Sequence, residues 1–390
     1  MLYDWLTYLT RWLHLIAGIA WIGNSFYFMW LDANIAPPAP AREGVEGSLW
    51  MVHSGGFYQV EKRKIRPGEV PSTLHWFFLE ATFTLLTGLL LLSIVYYWRA
   101  EAFLIDPAVL ALSPGQAIGL ALSLLVGSWL IYDLLWISPL AAGSGNAATA
   151  VSLGLLVGLA YTLCHVFGGR AAFIHFGAIL GAIMVVNVWV RILPAQRKMI
   201  DATTRGVAPD LSHGLRAKRR SVHNSYLTLP VLFMMLSNHQ PAAFGHPRNW
   251  LVLLGLAALG MTMRHLMIRR TQHRALASPG LAVAGSAAVL FALALPPGRP
   301  ELSAADAVPD STIRTIVANR CVSCHSTHPT DDVFKIAPKG LILEELTALR
   351  AHAPQVRMMA IQTKAMPLAN KTGMTDAERG QLDRWLGDGK

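Results

Sequence analysis

A chain of 390 residues would ordinarily make two or three soluble domains. The composition excludes that: 53% of residues are hydrophobic and 14% charged, where soluble chains carry about 25% charge, and with a mean hydropathy of +0.40 the disordered, collagenous and disulfide-rich classes fall away too. The net charge of +10 suits either a nucleic-acid binder or a membrane protein with its positive surplus on one side. Its distribution separates the two. Residues 301–390 hold 11 basic and 11 acidic residues, so the surplus lies wholly in residues 1–300, where the apolar runs are. The expected partner is a lipid bilayer, with no nucleic acid.

Eight stretches are apolar enough to cross a hydrocarbon core, which takes about 20 helical residues. They are residues 8–30, 75–98, 116–138, 147–167, 171–193, 224–240, 248–267 and 277–296. Runs of this kind span as helices, because the backbone must satisfy its hydrogen bonds within each segment. The first, third, fifth and seventh connections carry 15 Lys and Arg residues, against three (Arg99, Arg170 and Arg248) on the others. The richer side is expected to be cytoplasmic. Both termini then face outward, into the periplasm if this is a bacterial inner-membrane protein. No cleaved signal peptide is expected, since Met1-Leu2-Tyr3-Asp4 lacks a basic region and no small-x-small site follows the first apolar run.

The connection between the first two spans is long for a loop without a purpose. It contains Trp50-Met51-Val52-His53-Ser54-Gly55-Gly56-Phe57-Tyr58-Gln59, a dense set of donors, acceptors and aromatics around a Gly-Gly pair that lets backbone approach a ligand. A surface for a planar polar heterocycle and an ordered cap are equally open readings. Within the spans, Glu80, Asp133, Arg191 and Arg264 are ionisable groups toward the cytoplasmic half. Such groups are functional or mutually paired, although Arg191 and Arg264 lie near enough to the face to snorkel. His14, His165, His175 and His239 fall in one layer toward the outer side. Each alone reads as a packing residue. Four at one depth make a bis-His haem b a candidate, with no pair singled out.

After a Pro-rich linker at 297–308, residues 309–390 form a separate neutral domain. Cys321-Val322-Ser323-Cys324-His325 has the spacing of a c-type haem attachment site. Two thiols on one helical turn reach the two porphyrin vinyls, and the adjacent imidazole reaches the iron. A thioredoxin-like pair wants a βαβ context and a zinc site wants two further ligands; neither is evident here. Met366, in Ala365-Met366-Pro367-Leu368, is the natural sixth ligand, ahead of Met358, Met359 and Met374. Thr375-Asp376-Ala377-Glu378 reads as a capping box opening a last helix. The expected architecture is therefore all-α: a polytopic bundle of about eight spans over 1–296, followed by a small class-I-like cytochrome c domain over 309–390.

His53 through Tyr58 with Lys62, the stretch from Arg220 to Pro230, Ser237-Asn238-His239, and Phe244-Gly245-His246-Pro247 with Asn249-Trp250 resemble the membrane-bound cytochrome-c urate oxidase (urate hydroxylase) family. Pro329-Thr330-Asp331-Asp332 and Met366 through Met374 resemble its fused cytochrome domain. The resemblance implies oxidation of urate to 5-hydroxyisourate, with electrons passing to haem c and onward to a downstream cytochrome c or terminal oxidase. Urate is a planar monoanion, so its site needs a cation, hydrogen-bond partners and a flat slot; Tyr58, Lys62, Asn224 and Arg264 are the candidates. Proton removal calls for a base, and His53, Glu80 and His223 are available. One haem c takes one electron at a time, and a cytoplasmic-side substrate lies most of a roughly 30 Å core from it, which is where a haem b would serve. A different class of reading remains beside the enzyme: a non-catalytic haem b/haem c electron carrier. A transporter or sensor with a regulatory cytochrome is a third.

Overall fold

The computed structural model describes residues 2–66, 69–294 and 308–387. All but the last residue of the expected linker at 297–308 lie outside them. Eight long helices form the first body: α1 (Leu2–Asn34), α2 (Leu79–Tyr97), α3 (Pro114–Ile137), α4 (Gly145–Val166), α5 (Gly169–Thr204), α6 (Leu211–Leu236), α7 (Asn249–Thr271) and α8 (Ala277–Ala294). Their starts follow from local chemistry. Ser113 caps α3 in a full capping box with Gln116, ahead of Pro114. Ser144 accepts from the Ala147 N–H to open α4, and Asp210 accepts from the Ser212 N–H to open α6.

Six of these helices, α2, α3, α4, α5, α7 and α8, are long and apolar enough to cross a membrane. The other two carry polar residues along their length. In α6 the first half is basic, with Arg216, Lys218, Arg219 and Arg220, and only its second half coincides with the expected span at 224–240. The fifth expected span, 171–193, is the middle of α5, a 36-residue helix. At 1.5 Å per residue α5 is about 54 Å long, well beyond a roughly 30 Å hydrocarbon core. It is also the centre of the bundle. Phe173, Phe176, Ile179 and Leu180 are fully buried among residues of α2, α3, α4, α6 and α7.

The fold departs from the all-helical expectation in the first connection. Val45–His53 (β1) and Gly56–Arg63 (β2) pair as an antiparallel hairpin, with Met51 opposite Tyr58 and His53 opposite Gly56. Ser54 and Gly55 form its turn, both at positive φ (48° and 76°), the combination that a tight two-residue hairpin loop demands. Alternation in Val45–His53 is interrupted by consecutive apolar residues, so the run does not announce a strand. The hairpin defines one end of the bundle.

A polar tie holds that end together. The Asp133 carboxylate of α3 accepts from Arg191 Nε of α5 at 2.8 Å and from Arg220 Nη2 of α6 at 2.7 Å, and Arg191 closes a second bond through Nη2. Three helices thus share one carboxylate. At the opposite end sits the C-terminal domain, built from α9 (Asp310–Arg320), α10 (Leu346–Ala351) and α11 (Asp376–Gly387) around Ile313, Val317, Leu349, Leu382 and Trp385. Trp385 Nε1 donates to Asp310 at 2.7 Å, tying its last helix to its first. Thr375 and Glu378 cap α11 reciprocally, at 2.7 and 3.2 Å. The domain rests on the bundle through Arg99, which donates to the Val333 carbonyl at 3.4 Å, and through Gly245. A Cβ on Gly245 would lie 2.5 Å from the Thr363 carbonyl oxygen, so only glycine permits that approach.

Removing Asp133 should expose how much depends on the tie. Asp133→Ala leaves two guanidiniums without their counter-charge, one of them buried, and is expected to cost about 3–5 kcal/mol, read as a fall in the thermal midpoint of the detergent-purified protein. An unchanged midpoint would mean that water already neutralises the pair.

Candidate functional site

A cleft of about 1360 Å³ opens at the hairpin end, between α1, α2, α5, α6 and α7. Arg264 of α7 projects into it. Its side chain is only 5% exposed. Nε donates to Ser225 Oγ at 2.8 Å, Nη2 points at the Met29 sulfur, and the guanidinium lies 4.5 Å over the Phe26 ring. No carboxylate stands within ion-pair distance of it among the described residues. Stacking and one hydroxyl orient this cation without neutralising it. An uncompensated buried charge costs several kcal/mol, so the cleft is built to receive an anion.

The other polar groups of the cleft are placed around this cation. Glu80, in the first turn of α2, accepts from Asn24 Nδ2 of α1 at 3.1 Å, which leaves its second oxygen free of protein donors. On α7, His265 Nδ1 bonds the Tyr226 hydroxyl of α6 at 2.7 Å, and the two rings stack with an interplanar angle of 26°. With Nδ1–H donating to the Tyr226 oxygen, the lone pair of His265 Nε2 is left for the cleft. His75, Phe28 and Phe77 supply ring surfaces, with Phe28 and Phe77 4.9 Å apart. A cation, a carboxylate, an imidazole and aromatic walls meet in one space that can hold a flat, hydrogen-bonding anion and move a proton to or from it.

Of the residues singled out from the sequence, the structure brings Glu80, Asn224 and Arg264 to this cleft. Asn224 is already committed: its side-chain oxygen accepts from Asn187 at 3.0 Å and its amide donates to the Met184 carbonyl at 2.9 Å, so it holds α5 to α6. His223 turns the other way, with Nδ1 2.7 Å from the Tyr132 hydroxyl and its ring 4.1 Å from Trp136. His53, Tyr58 and Lys62 stand on the exposed strands of the hairpin and do not line the cleft; Lys62 is paired with Asp32. Asn24, Tyr226 and His265 were not among the expected site residues. Asn24 had a signal, as an amide in the middle of an apolar run. Tyr226 and His265 had none, because their pairing joins two helices 39 positions apart.

Each of the four outer-layer histidines is held in its own local contacts. His175 is fully buried, with Nδ1 2.8 Å from the Ala171 carbonyl and Nε2 3.3 Å from the Tyr97 hydroxyl, so both ring nitrogens are engaged. His14 packs on Gly88 and bonds Thr84 and Thr87 of α2. His165 stacks on Tyr161, exposed, and His239 is exposed beyond α6.

The C-terminal domain fits haem c better. Cys321 and Cys324 follow α9 on one turn, with the His325 N–H donating to the Cys321 carbonyl at 2.9 Å. His325 Nδ1 donates to the Leu341 carbonyl at 3.0 Å, which fixes the tautomer and leaves the Nε2 lone pair free for a metal. Met366 packs at the edge of the domain core, and its carbonyl accepts from Arg379 at 2.7 Å. Met374 is buried in that core and Met358 faces solvent. Burial pushes the Cys321 thiol up to about 11, with Cys324 adding to the effect. A protonated, buried thiol is the reverse of the activated thiolate a dithiol oxidoreductase needs. Among the described residues no three His, Cys, Asp or Glu side chains converge as a zinc site requires. Two thiols on one turn and one oriented imidazole have the chemistry that covalent attachment of a haem would require.

Residues 1–295 match the family model described as urate oxidase N-terminal. No curated protein and no solved structure matches the chain.

The turn after the Cys-x-x-Cys-His motif carries a pH dependence. Burial works to raise the Asp331 carboxyl, but the Lys371 ammonium at 2.7 Å and the Phe334 and Val333 N–H groups more than offset it, so the group sits below its ordinary value. A carboxyl lowered on folding stabilises the domain fully above its unfolded pKa of about 3.9. That contribution disappears as the pH falls through the lower folded value. Asp331→Asn is expected to flatten the acid side of the stability curve while lowering stability at neutral pH, measured by thermal melts from about pH 6 to about pH 3; parallel curves would show that Asp331 has no share in it.

Proposed function

The chain belongs to the urate oxidase N-terminal family, and from that premise we propose that it oxidises urate to 5-hydroxyisourate in the cleft around Arg264. The observation that carries this reading is the buried, unneutralised Arg264 guanidinium in a cleft that Glu80, His265 and aromatic rings also line. The urate monoanion supplies the missing negative charge. Its planar rings suit the walls formed by Phe28, Phe77 and His75, and its ring N–H and carbonyl groups suit Glu80, His265 and Asn24. Urate and one water yield 5-hydroxyisourate, two protons and two electrons. Glu80, with one oxygen held by Asn24 and the other free, is placed to take a proton from the substrate or the attacking water, and His265 Nε2 to take the second.

The two electrons would leave one at a time through a haem held by Cys321, Cys324 and His325, with Met366 as the thioether, each electron passing to the downstream acceptor before the next arrives. A haem attached there supplies one-electron acceptance at a potential raised by the thioether. The residues around it prepare the site: Leu341 orients the imidazole, and Arg379 anchors the Met366 loop. The six apolar helices agree with a multi-pass membrane protein. In this reading the hairpin end, with its basic connections, faces the cytoplasm of a bacterial cell. The C-terminal domain lies outside the inner membrane, where a downstream cytochrome c or terminal oxidase takes the electrons. The helix α2 joins the two centres, from Glu80 to the residues just before Arg99, over about 28 Å.

Purified protein mixed with urate in the absence of oxygen should develop the reduced haem c α-band. A spectrum that stays oxidised with urate but responds to dithionite would sink the enzymatic reading. Arg264→Gln removes the charge-assisted contact and is expected to lower kcat/KM by about 10–100-fold, equivalent to roughly 1.5–3 kcal/mol. Glu80→Gln should act on kcat more than on KM. Wild-type kinetics in both variants would move the substrate elsewhere.

A further inference from the structure

On the opposite face of α5 and α6 from the cleft, a second and smaller pocket of about 240 Å³ opens at the hairpin end. It shares no lining residue with the cleft. Five cations surround it: Arg191 and Lys198 from α5, and Arg216, Arg219 and Arg220 from α6. We propose that this pocket is a binding site for a phosphate group, with a phospholipid headgroup or free phosphate as its source.

The charge count is the first reason. Asp133 is the one carboxylate paired with these cations at short range, and it is saturated by Arg191 and Arg220. Lys198 has no ion-pair partner among the described residues, and Arg216 Nη2 contacts only His213 Nδ1, at 2.7 Å. His213 in turn lies 3.9 Å from Asp210, which is mostly exposed. The pocket therefore keeps a surplus of positive charge.

The second reason is unsatisfied hydrogen bonding. Arg220 is 4% exposed; its Nη2 serves Asp133, its guanidinium lies 4.8 Å over the Tyr132 ring, and its Nη1 has no hydrogen-bond acceptor among the described residues. Arg219 is in the same position. Its two terminal nitrogens reach the Trp136 carbonyl at 3.2 Å and the Ala141 carbonyl at 3.4 Å, and its buried Nε has none. A buried donor without an acceptor is unfavourable by about 1–3 kcal/mol. Two such donors on adjacent arginines, beside uncancelled charge, specify a ligand with several acceptor oxygens, and the guanidinium fork matches a phosphate in this respect.

The third reason is the other wall. Trp136, Val190 and Pro194 give the pocket an apolar wall beside the cations, with the Arg219 guanidinium 5.4 Å over the Trp136 ring. A headgroup joined to glycerol and acyl chain would use both walls, whereas inorganic phosphate would use only the polar one. Basic pockets between membrane helices bind anionic headgroups in this manner.

The test uses the full-length protein, delipidated in detergent, with thermal midpoint as readout. Inorganic phosphate is titrated against chloride at matched ionic strength, because screening alone also moves surface charges. In parallel, the protein is placed in phosphatidylcholine nanodiscs with and without phosphatidylglycerol. The variant Lys198→Gln/Arg216→Gln removes two cations and leaves the Asp133 pairs in place; each single variant is measured as well, so that a double variant that fails to fold does not end the experiment. The wild type should be stabilised by phosphate or by phosphatidylglycerol, and the variants should need at least tenfold more of the same ligand. Stabilisation by phosphatidylglycerol alone assigns the lipid, and an equal response to inorganic phosphate assigns the free anion. The proposal is overturned if neither ligand shifts the wild-type midpoint or if wild type and variants respond alike. Because the readout is stability, the result does not depend on urate oxidation.

Discussion

Charge inside an apolar bundle must be matched, and the rest of this structure follows from how that is done at Asp133. Two guanidiniums from different helices converge on its carboxylate. The desolvation of three charged groups is tolerated only because each has the others. The consequence is positional. With Arg220 held to α3, the rotation of α6 is set, and helical periodicity distributes the next residues: His223 toward Tyr132, Asn224 toward Met184 of α5, Ser225 toward Arg264, and Tyr226 toward His265. One ion-pair cluster thereby aims the polar face of α6 into the cleft.

Arg264 is the counter-case. It is as buried as Arg220, yet its partners are a hydroxyl, a thioether and a phenyl ring. These contacts hold the guanidinium in place without cancelling its charge. The difference between the two arginines is the difference between structure and binding: a matched pair stiffens the bundle, and an unmatched cation keeps part of its interaction energy for a ligand. The same logic separates the two ends of the molecule. The hairpin end gathers ionisable groups into a cleft and a pocket, whereas the end beneath the C-terminal domain is packed with Tyr96, Phe167, Phe173 and His175, whose polar atoms are satisfied internally.

Much of this was legible without coordinates. Cys321, Cys324 and His325 stood out through spacing alone, because thioether attachment of a haem would constrain five consecutive residues. Glu80 and Arg264 stood out as ionisable groups in apolar runs. The hairpin was less legible. Its aromatic and polar residues read equally as a binding surface or an ordered cap, and Tyr58 and Lys62 lie on exposed strands away from the cleft, with Lys62 held to Asp32. Its strands were hidden as well, since their pattern lacks clean alternation. His223 and Asn224 matched a recognisable stretch, yet both turned out to be committed to interhelical bonds. A motif reports that a side chain is needed and does not say what it touches.

Composition and charge by themselves determined that this is a helical chain with apolar segments long enough to cross a membrane and a more polar C-terminal domain, since the hydrocarbon requirement for about 20 apolar residues is written along the chain. Which polar groups meet was decided only by the tertiary structure. Glu80 with Asn24, Arg264 with Ser225, and His265 with Tyr226 join positions 39 to 56 residues apart. Each pairing depends on the rotation of two helices about their own axes, and nearly apolar helices encode that rotation weakly. The +10 surplus is resolved in the same way. Sequence assigned it to one set of connections, and packing divided it into arginines that Asp133 neutralises and arginines that remain open to an anion.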